Sequence, residues 1–86
     1  MNEQTRQIIE YIAREIVRGP DVRISEDTPL VSSGLVDSLA LVDILYKLEN
    51  VTGLRIPPGE VEAEEMNTVK LMLATAERVG RPKSKP

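Results

Sequence analysis

Residues 38–52, SLALVDILYKLENVT, carry apolar side chains in almost every direction around the axis of a helix. At about 100° per residue, only Asp43, Lys47 and Asn50 form a clearly polar strip. A helix on the surface of a small protein normally has a much wider polar face. This segment therefore predicts a helix that contacts the core on one side and something else on the other.

The apolar residues of this helix fall on two arcs. The first arc holds Ala40, Leu41, Ile44, Leu48 and Val51, and the second holds Leu39, Val42, Leu45 and Tyr46. We expect the first arc to face the core. We expect the loop before the helix to cover part of the second arc, foremost Leu39 and Val42, while Leu45 and Tyr46 indicate a recognition surface bordered by acidic groups.

The other periodic segments also predict helices, so the expected fold class is all-α: a small bundle of three main helices and one short helix. Apolar residues recur at helical spacing from Glu3 to Arg18, and Gly19-Pro20 ends this helix because glycine permits a left-handed terminal residue. A last helix begins with Asn67 or Thr68 as its cap and ends at Gly80. Without Phe or Trp, the core must consist of Leu, Ile, Val and Met, which suits packed helices.

Residues 21–37 show no sustained period and are rich in residues that favour turns, so they predict a long loop between the first two helices. Loops of this length without structure are uncommon unless they have a function. We expect Ile24, Leu30 and Leu35 to anchor the loop to the core. A short helix is expected over residues 61–65.

The composition excludes several kinds of site. The 86 residues include no Cys and no His, so the chain lacks thiolate nucleophiles, the usual zinc ligands and the commonest general base. We therefore expect a protein that is not an enzyme and has no metal site. No apolar run is long enough for a signal peptide or a membrane span, so the expected location is the cytoplasm.

Charge is distributed unevenly along the chain. Residues 26–65 hold nine acidic and two basic side chains, which gives a local balance of −7. Such a surface repels nucleic acid and favours partners with basic patches. We expect a monomeric domain over residues 1–79, followed by a disordered basic tail over residues 80–86 that has no apolar residue to bury.

Ser38 stands where the loop meets the apolar helix, and it has two interpretations. A Ser that follows Asp before an apolar-periodic run is ordinary capping chemistry. Alternatively, its hydroxyl is a point of covalent attachment. The first turn of a helix presents unpaired N–H groups and a positive dipole, which stabilise a phosphate ester at this position.

The segment GLVDSLALVDILYKLENVTGLRIP resembles the central part of stand-alone phosphopantetheine carrier proteins, the acyl carrier proteins and their aminoacyl-carrying relatives. The likeness includes Gly34, the Asp37-Ser38-Leu39 motif, Leu48-Glu49, Gly53 and Ile56-Pro57. It continues through VEAEEMNTV and covers residues 3–79 in the order helix, long loop, helix, short helix, helix. The resemblance implies a four-helix bundle of the acyl-carrier-protein type.

The resemblance also implies roles for individual residues. Ser38 would be esterified with the 4′-phosphopantetheine arm of coenzyme A by a phosphopantetheinyl transferase that uses a magnesium ion, and Asp37 would help to dock that enzyme. The thiol of the arm would hold the cargo as a thioester. The partner-binding surface would consist of Asp37, Leu39, Val42, Asp43, Leu45, Tyr46 and Glu49. Its acidic members would face basic docking patches on the ligases or synthases that load the carrier.

An acyl cargo for fatty-acid, polyketide or related biosynthesis is our first interpretation, and an amino acid such as D-alanine, loaded by an adenylating ligase, is the alternative. Thr52 and Met66 stand where the family often has aromatic residues, so a carrier of another pathway fits as well as one of fatty-acid synthesis. An alternative of a different class is a helical interaction module without a prosthetic group, in which Ser38 only caps the helix.

Overall fold

A computed structural model describes residues 2–18 and 23–82 of the chain. Three main helices pack around one apolar core, with short helical turns and one pair of two-residue strands between and after them. The all-α prediction is confirmed. The strand pair is not predicted from the sequence, because two residues per strand are too few to produce an alternating pattern. Within the described ranges, no helix has the length and apolar character that a membrane span requires.

The first helix has two parts. Helix α1 spans Glu3–Tyr11 and continues as a π-helical segment over Ile12–Val17, so the predicted extent is confirmed. The residue that ends it in a left-handed conformation is Arg18, with φ 57°. This is one position before the predicted Gly19, which lies outside the described residues.

Residues 23–37 form the predicted loop and contain turns instead of regular structure. Two of the predicted anchors hold, since Leu30 is fully buried and Ile24 packs against the core. Leu35 is wrong as an anchor because it is 36% exposed, and its neighbour Val36 is buried instead. A hydrogen bond from Val36 N to Leu30 O, 3.0 Å long, closes the turn that points Val36 inward.

Helix α2 spans Ser38–Thr52, as predicted. Asp37 caps it, because the Oδ1 of Asp37 accepts a hydrogen bond from Ala40 N at 2.8 Å. Gly53 ends it with φ 75°, a conformation in which glycine has no steric penalty. Ser38 is thus the first residue of the helix, and the interpretation of Ser38 as its cap is wrong.

Helix α3 spans Val69–Val79. Its cap is Thr68 and not Asn67, because the Oγ1 of Thr68 accepts a backbone hydrogen bond of 3.0 Å in the first turn. The short helix before it is a 3₁₀ turn over Ala63–Met66. This turn begins two residues later than predicted because the preceding glutamate serves as its cap.

Strands β1 (Leu54–Arg55) and β2 (Arg81–Pro82) pair in antiparallel orientation. A second 3₁₀ turn, Pro58–Glu60, follows β1. The folded part therefore reaches residue 82, inside the segment 80–86 that the sequence analysis assigns to a tail. Residues 83–86 lie outside the described part.

The core is aliphatic, as the composition predicts, and all three main helices and the loop contribute to it. The buried apolar residues are Ile8, Ile12, Leu30, Val36, Ile44, Leu48, Ile56, Met66, Val69, Met72, Ala76 and Val79. The burial of Leu30 and Val36 beside α2 fixes the end of the loop where that helix begins. The core thereby determines where residue 38 lies.

Candidate functional site

Ser38 lies exposed to solvent at the start of α2. Because Asp37 already caps the helix, the hydroxyl of Ser38 is not required for the backbone hydrogen bonds of the first turn. That turn contains no acidic residue. Its N–H groups and the helix dipole favour an anion at this point. An accessible hydroxyl in such surroundings fits the attachment of a phosphate ester.

Ser38 shares one face of α2 with Val42, Leu45 and Glu49, because spacings of three and four residues align side chains along a helix. Val42 is 48% exposed, while Leu45 packs partly buried against the core. The structure therefore brings four of the predicted site residues into one line that begins at the hydroxyl of residue 38.

A groove of about 370 Å³ follows this face. It is lined by Val42, Leu45, Tyr46 and Glu49 of α2 and by Arg55, Ile56, Pro57 and Pro58 of the segment after it. The walls are mainly apolar and carry one carboxylate and one guanidinium. The carboxylate of Glu49 is held in place, because its Oε2 accepts a hydrogen bond from Ile56 N at 2.8 Å. Glu49 therefore supports the wall of the groove in addition to any role toward a partner.

The second apolar arc of α2 is largely uncovered. Leu39 is 81% exposed and Tyr46 is 68% exposed. The expectation that the loop covers Leu39 and Val42 is wrong, because the loop is tied toward the start of α3 instead. A hydrogen bond of 2.7 Å from Leu30 N to Asn67 O makes this connection.

Asp43 lies on another side of α2, next to α1. Burial of the Tyr11 ring raises the pKa of its hydroxyl, and the negative charges of Asp43 and Glu15 raise it further. The Nζ of Lys47 lies 5.6 Å from the centroid of the same ring. Asp43 therefore lies on another side of α2 than Ser38, but spacings of four and three residues place it beside the exposed Leu39 and Tyr46.

Two features of the site are not predicted from the sequence. Arg55 and Pro58 line the groove, although only the turn at Pro57-Pro58 is evident from the sequence. Asn67, considered only as a helix cap, uses its side chain to hold the loop before Ser38. Both depend on contacts between segments distant in the chain, for which the sequence carries no local signal.

Comparisons with known proteins connect this geometry to a chemical group. The model of the family described as phosphopantetheine attachment site matches residues 6–75. The chain is 35% identical over 74 residues to a D-alanyl carrier protein of Abiotrophia defectiva, with 86% of this chain and 89% of that one covered. It is 31% identical over 61 residues to D-alanyl carrier protein 1 of Lactiplantibacillus plantarum, covering 71% of this chain and 76% of that one.

One solved structure has a similar fold. Its title is "Crystal structure of FAD-dependent dehydrogenase", and its matching chain aligns with a TM-score of 0.69 and 27% sequence identity. The alignment covers 81% of this chain and 99% of that chain. Nearly the whole of that chain therefore has the same order of helices as this one.

Proposed function

The chain belongs to the family of phosphopantetheine carrier proteins, and we propose that it is an aminoacyl carrier whose arm is attached to Ser38. Proteins of this family hold a covalent 4′-phosphopantetheine and deliver cargo to enzymes without catalysing its chemistry themselves. The observation that carries the proposal is the exposed hydroxyl of residue 38 at the start of α2, inside a segment matched by the family model.

Each residue at the start of α2 has a defined task in this proposal. Asp37 closes the first turn, and the hydroxyl of Ser38 remains available to the transferase. The N–H groups and dipole of the first turn stabilise the phosphodiester that joins the arm to the protein. When bound, the arm supplies a thiol that holds the cargo as a thioester. Val42 and Leu45 continue the same face into the apolar groove.

The relatives favour an amino acid as the cargo. Both relatives compared above are named D-alanyl carrier proteins, which favours the aminoacyl alternative over the fatty-acid or polyketide interpretation that we put first from the sequence. Met66 and Met72 are also buried and fill the centre of the bundle. A small, polar aminoacyl group that stays near the surface fits this arrangement better than a long acyl chain.

The family implies two kinds of partner, a phosphopantetheinyl transferase and a ligase that loads the cargo. We assign their docking to the exposed side of α2, with Leu39, Val42 and Tyr46 as apolar contacts. Asp37 and Glu49 supply negative charge at the two ends of this side and suit partners with basic patches. A monomer in the cytoplasm, where coenzyme A and ATP are available, completes the proposal.

Attachment is tested by incubating the protein with coenzyme A, Mg²⁺ and several transferases of broad specificity. Intact mass spectrometry is expected to show one arm on the wild type and none on Ser38→Ala, with equal helicity of both by circular dichroism. A wild type that none of the transferases modifies would support the interaction module without a prosthetic group. An arm on Ser38→Ala would place the attachment elsewhere.

The cargo is tested on the protein that already carries its arm. With ATP, D-alanine and a D-alanyl carrier ligase, a thioester that hydroxylamine cleaves is expected. The parallel reaction with a fatty acid and an acyl carrier ligase is expected to give at least about tenfold slower loading, which corresponds to roughly 1.4 kcal/mol of discrimination. Faster loading with the fatty acid would contradict the aminoacyl assignment and restore the acyl interpretation.

A further inference from the structure

Asn67, between the 3₁₀ turn Ala63–Met66 and α3, holds the loop that leads to Ser38. Its Oδ1 accepts hydrogen bonds from Val31 N and Ser32 N, both at 2.9 Å. Its backbone oxygen accepts another from Leu30 N at 2.7 Å. Three consecutive N–H groups of the loop thus donate to one residue. Asn67 lies 36 residues after Val31 and 35 residues after Ser32 in the chain.

A further hydrogen bond fixes the end of the same loop that leads into α2. Val36 N donates to Leu30 O at 3.0 Å, so the chain returns to the point that Asn67 holds. Leu30 and Val36 are both buried, at 0% and 2% exposure. The cap Asp37 and then Ser38 follow Val36 directly. The position of residue 38 therefore depends on a series of hydrogen bonds that begins at Asn67.

We propose that Asn67 is a positioning residue for attachment of the arm: its side-chain oxygen fixes the loop and so presents Asp37 and Ser38 to the transferase. This inference rests on the attachment at Ser38 proposed above. Without that oxygen, the N–H groups of Val31 and Ser32 donate hydrogen bonds to water instead. The loop then samples several conformations, of which only a fraction can bind the transferase. Such an equilibrium lowers the apparent affinity by the competent fraction and leaves the turnover of the bound complex unchanged.

Steady-state kinetics of the transferase with Asn67→Ala test this inference. We expect KM for the carrier to rise about tenfold with an unchanged kcat, because the two hydrogen bonds accepted by Asn67 Oδ1 and the longer one that its Nδ2 donates to Ser32 Oγ at 3.3 Å are lost. Amide hydrogen exchange, measured by NMR, is expected to become about tenfold faster at Val31, Ser32 and Val36. Exchange in the middle of α1 is expected to stay as in the wild type.

Two further variants separate positioning from stability. Asn67→Asp keeps an oxygen that accepts both loop N–H groups, and its second oxygen can accept from the hydroxyl of Ser32 in place of the bond that Asn67 Nδ2 donates to it. Its KM is therefore expected to return to within about twofold of the wild type. Thr68→Ala is the matched control: it removes the hydrogen bond from Leu71 N to Thr68 Oγ1 at the adjacent residue and leaves the loop bonds intact. It is expected to lower Tm without a change in KM. All measurements are made at a temperature where circular dichroism shows each variant folded.

Several outcomes would overturn the inference. A KM unchanged in Asn67→Ala, with a wild type that is modified, would refute it and leave the proposed function intact. An equal rise of KM in Thr68→Ala would assign the effect to general loosening of α3. A wild type that no transferase modifies would refute the proposed function and this inference together. If Asn67→Ala does not fold, Asn67→Ser decides in the same way, because its side chain is too short to accept both bonds.

Discussion

At the scale of single residues, Asp37 and Ser38 divide two tasks between them. The carboxylate of Asp37 accepts the hydrogen bond that begins α2, and the hydroxyl of Ser38 is left exposed one position later. The sequence identifies both residues but not which of them is the cap, because Asp and Ser are about equally good at that position. The backbone conformation decides, since Asp37 is extended with ψ 177° and the helix begins after it.

This division predicts different stabilities for two neighbouring variants. Asp37→Ala is expected to lower the free energy of unfolding by about 1 kcal/mol through loss of the cap. Ser38→Ala is expected to change it by less than about 0.5 kcal/mol, because an exposed hydroxyl is removed. Asp37→Asn keeps the cap and is expected to stay close to the wild type. Urea unfolding measures all three, and an equal loss in Ser38→Ala would refute the division.

At the scale of elements, α2 is the helix whose exposed side the sequence describes least well. Periodicity predicts its extent and its two apolar arcs, but not which members of the second arc are covered. Leu45 packs partly against the core and Tyr46 stays 68% exposed, although the two are adjacent in the chain. The difference follows from the helix itself, because successive side chains point about 100° apart and Leu45 is the one that borders the arc facing the core.

The contrast between these neighbours gives a second prediction. Leu45→Asp puts a charge against the core and is expected to cost roughly 2 kcal/mol or more, with loss of helicity on mild heating. Tyr46→Asp is expected to change stability by less than about 0.5 kcal/mol while slowing transfer of cargo from the loading ligase. Thermal unfolding and a loading assay on the same samples measure both effects. A large loss of stability in Tyr46→Asp would assign that ring to the core.

The end of α3 gives a third prediction, because Gly80 has no room for a side chain. A Cβ there would contact the backbone oxygen of Ala76 and the side chain of Leu54 in β1. Gly80→Ala is expected to lower the free energy of unfolding by roughly 1–3 kcal/mol through overpacking. Gly59→Ala is the matched control, because nothing lies within 4 Å of its Cβ, and is expected to stay within about 0.5 kcal/mol. Equal stability of the two variants would contradict this packing.

The elements that the sequence predicts are those with a strong period. The extents of the three main helices agree with apolar spacing and with their caps to within one or two residues. The errors lie where neighbouring segments decide: the inward turn of Val36 in place of Leu35, and the pairing of β1 with β2. The strand pair joins distant parts of the chain, and the turn at Val36 is set by a bond to Leu30 within an irregular loop, so no periodic pattern encodes either of them.

At the scale of the whole molecule, charge and apolar surface act together. Residues 26–65 carry a local balance of −7 and include both the loop end and α2. For the partners proposed above, we expect long-range attraction to guide a basic partner to this side and the exposed residues Leu39 and Tyr46 to provide short-range contact. In this arrangement, the negative charge would raise the rate of encounter with a basic partner, and the exposed apolar residues would determine where the partner binds.

This combination predicts a dependence on salt. Raising NaCl from about 50 mM to about 500 mM is expected to lower kcat/KM for loading of the carrier several-fold, because the Debye length falls well below 10 Å. The rate at saturating carrier is expected to change little. Adenylation of the free amino acid by the same ligase, which does not involve the carrier, is the control. A loading efficiency that does not respond to salt would contradict electrostatic guidance.

The capping of α2 by Asp37 bears on how partner enzymes would distinguish a loaded carrier from an empty one. Because the side chain of residue 38 does not cap its helix, attachment of the proposed arm to its hydroxyl is expected to leave the fold unchanged. The loaded and the empty carrier would then differ only in the attached group. An enzyme that must tell a full carrier from an empty one has to inspect that group directly.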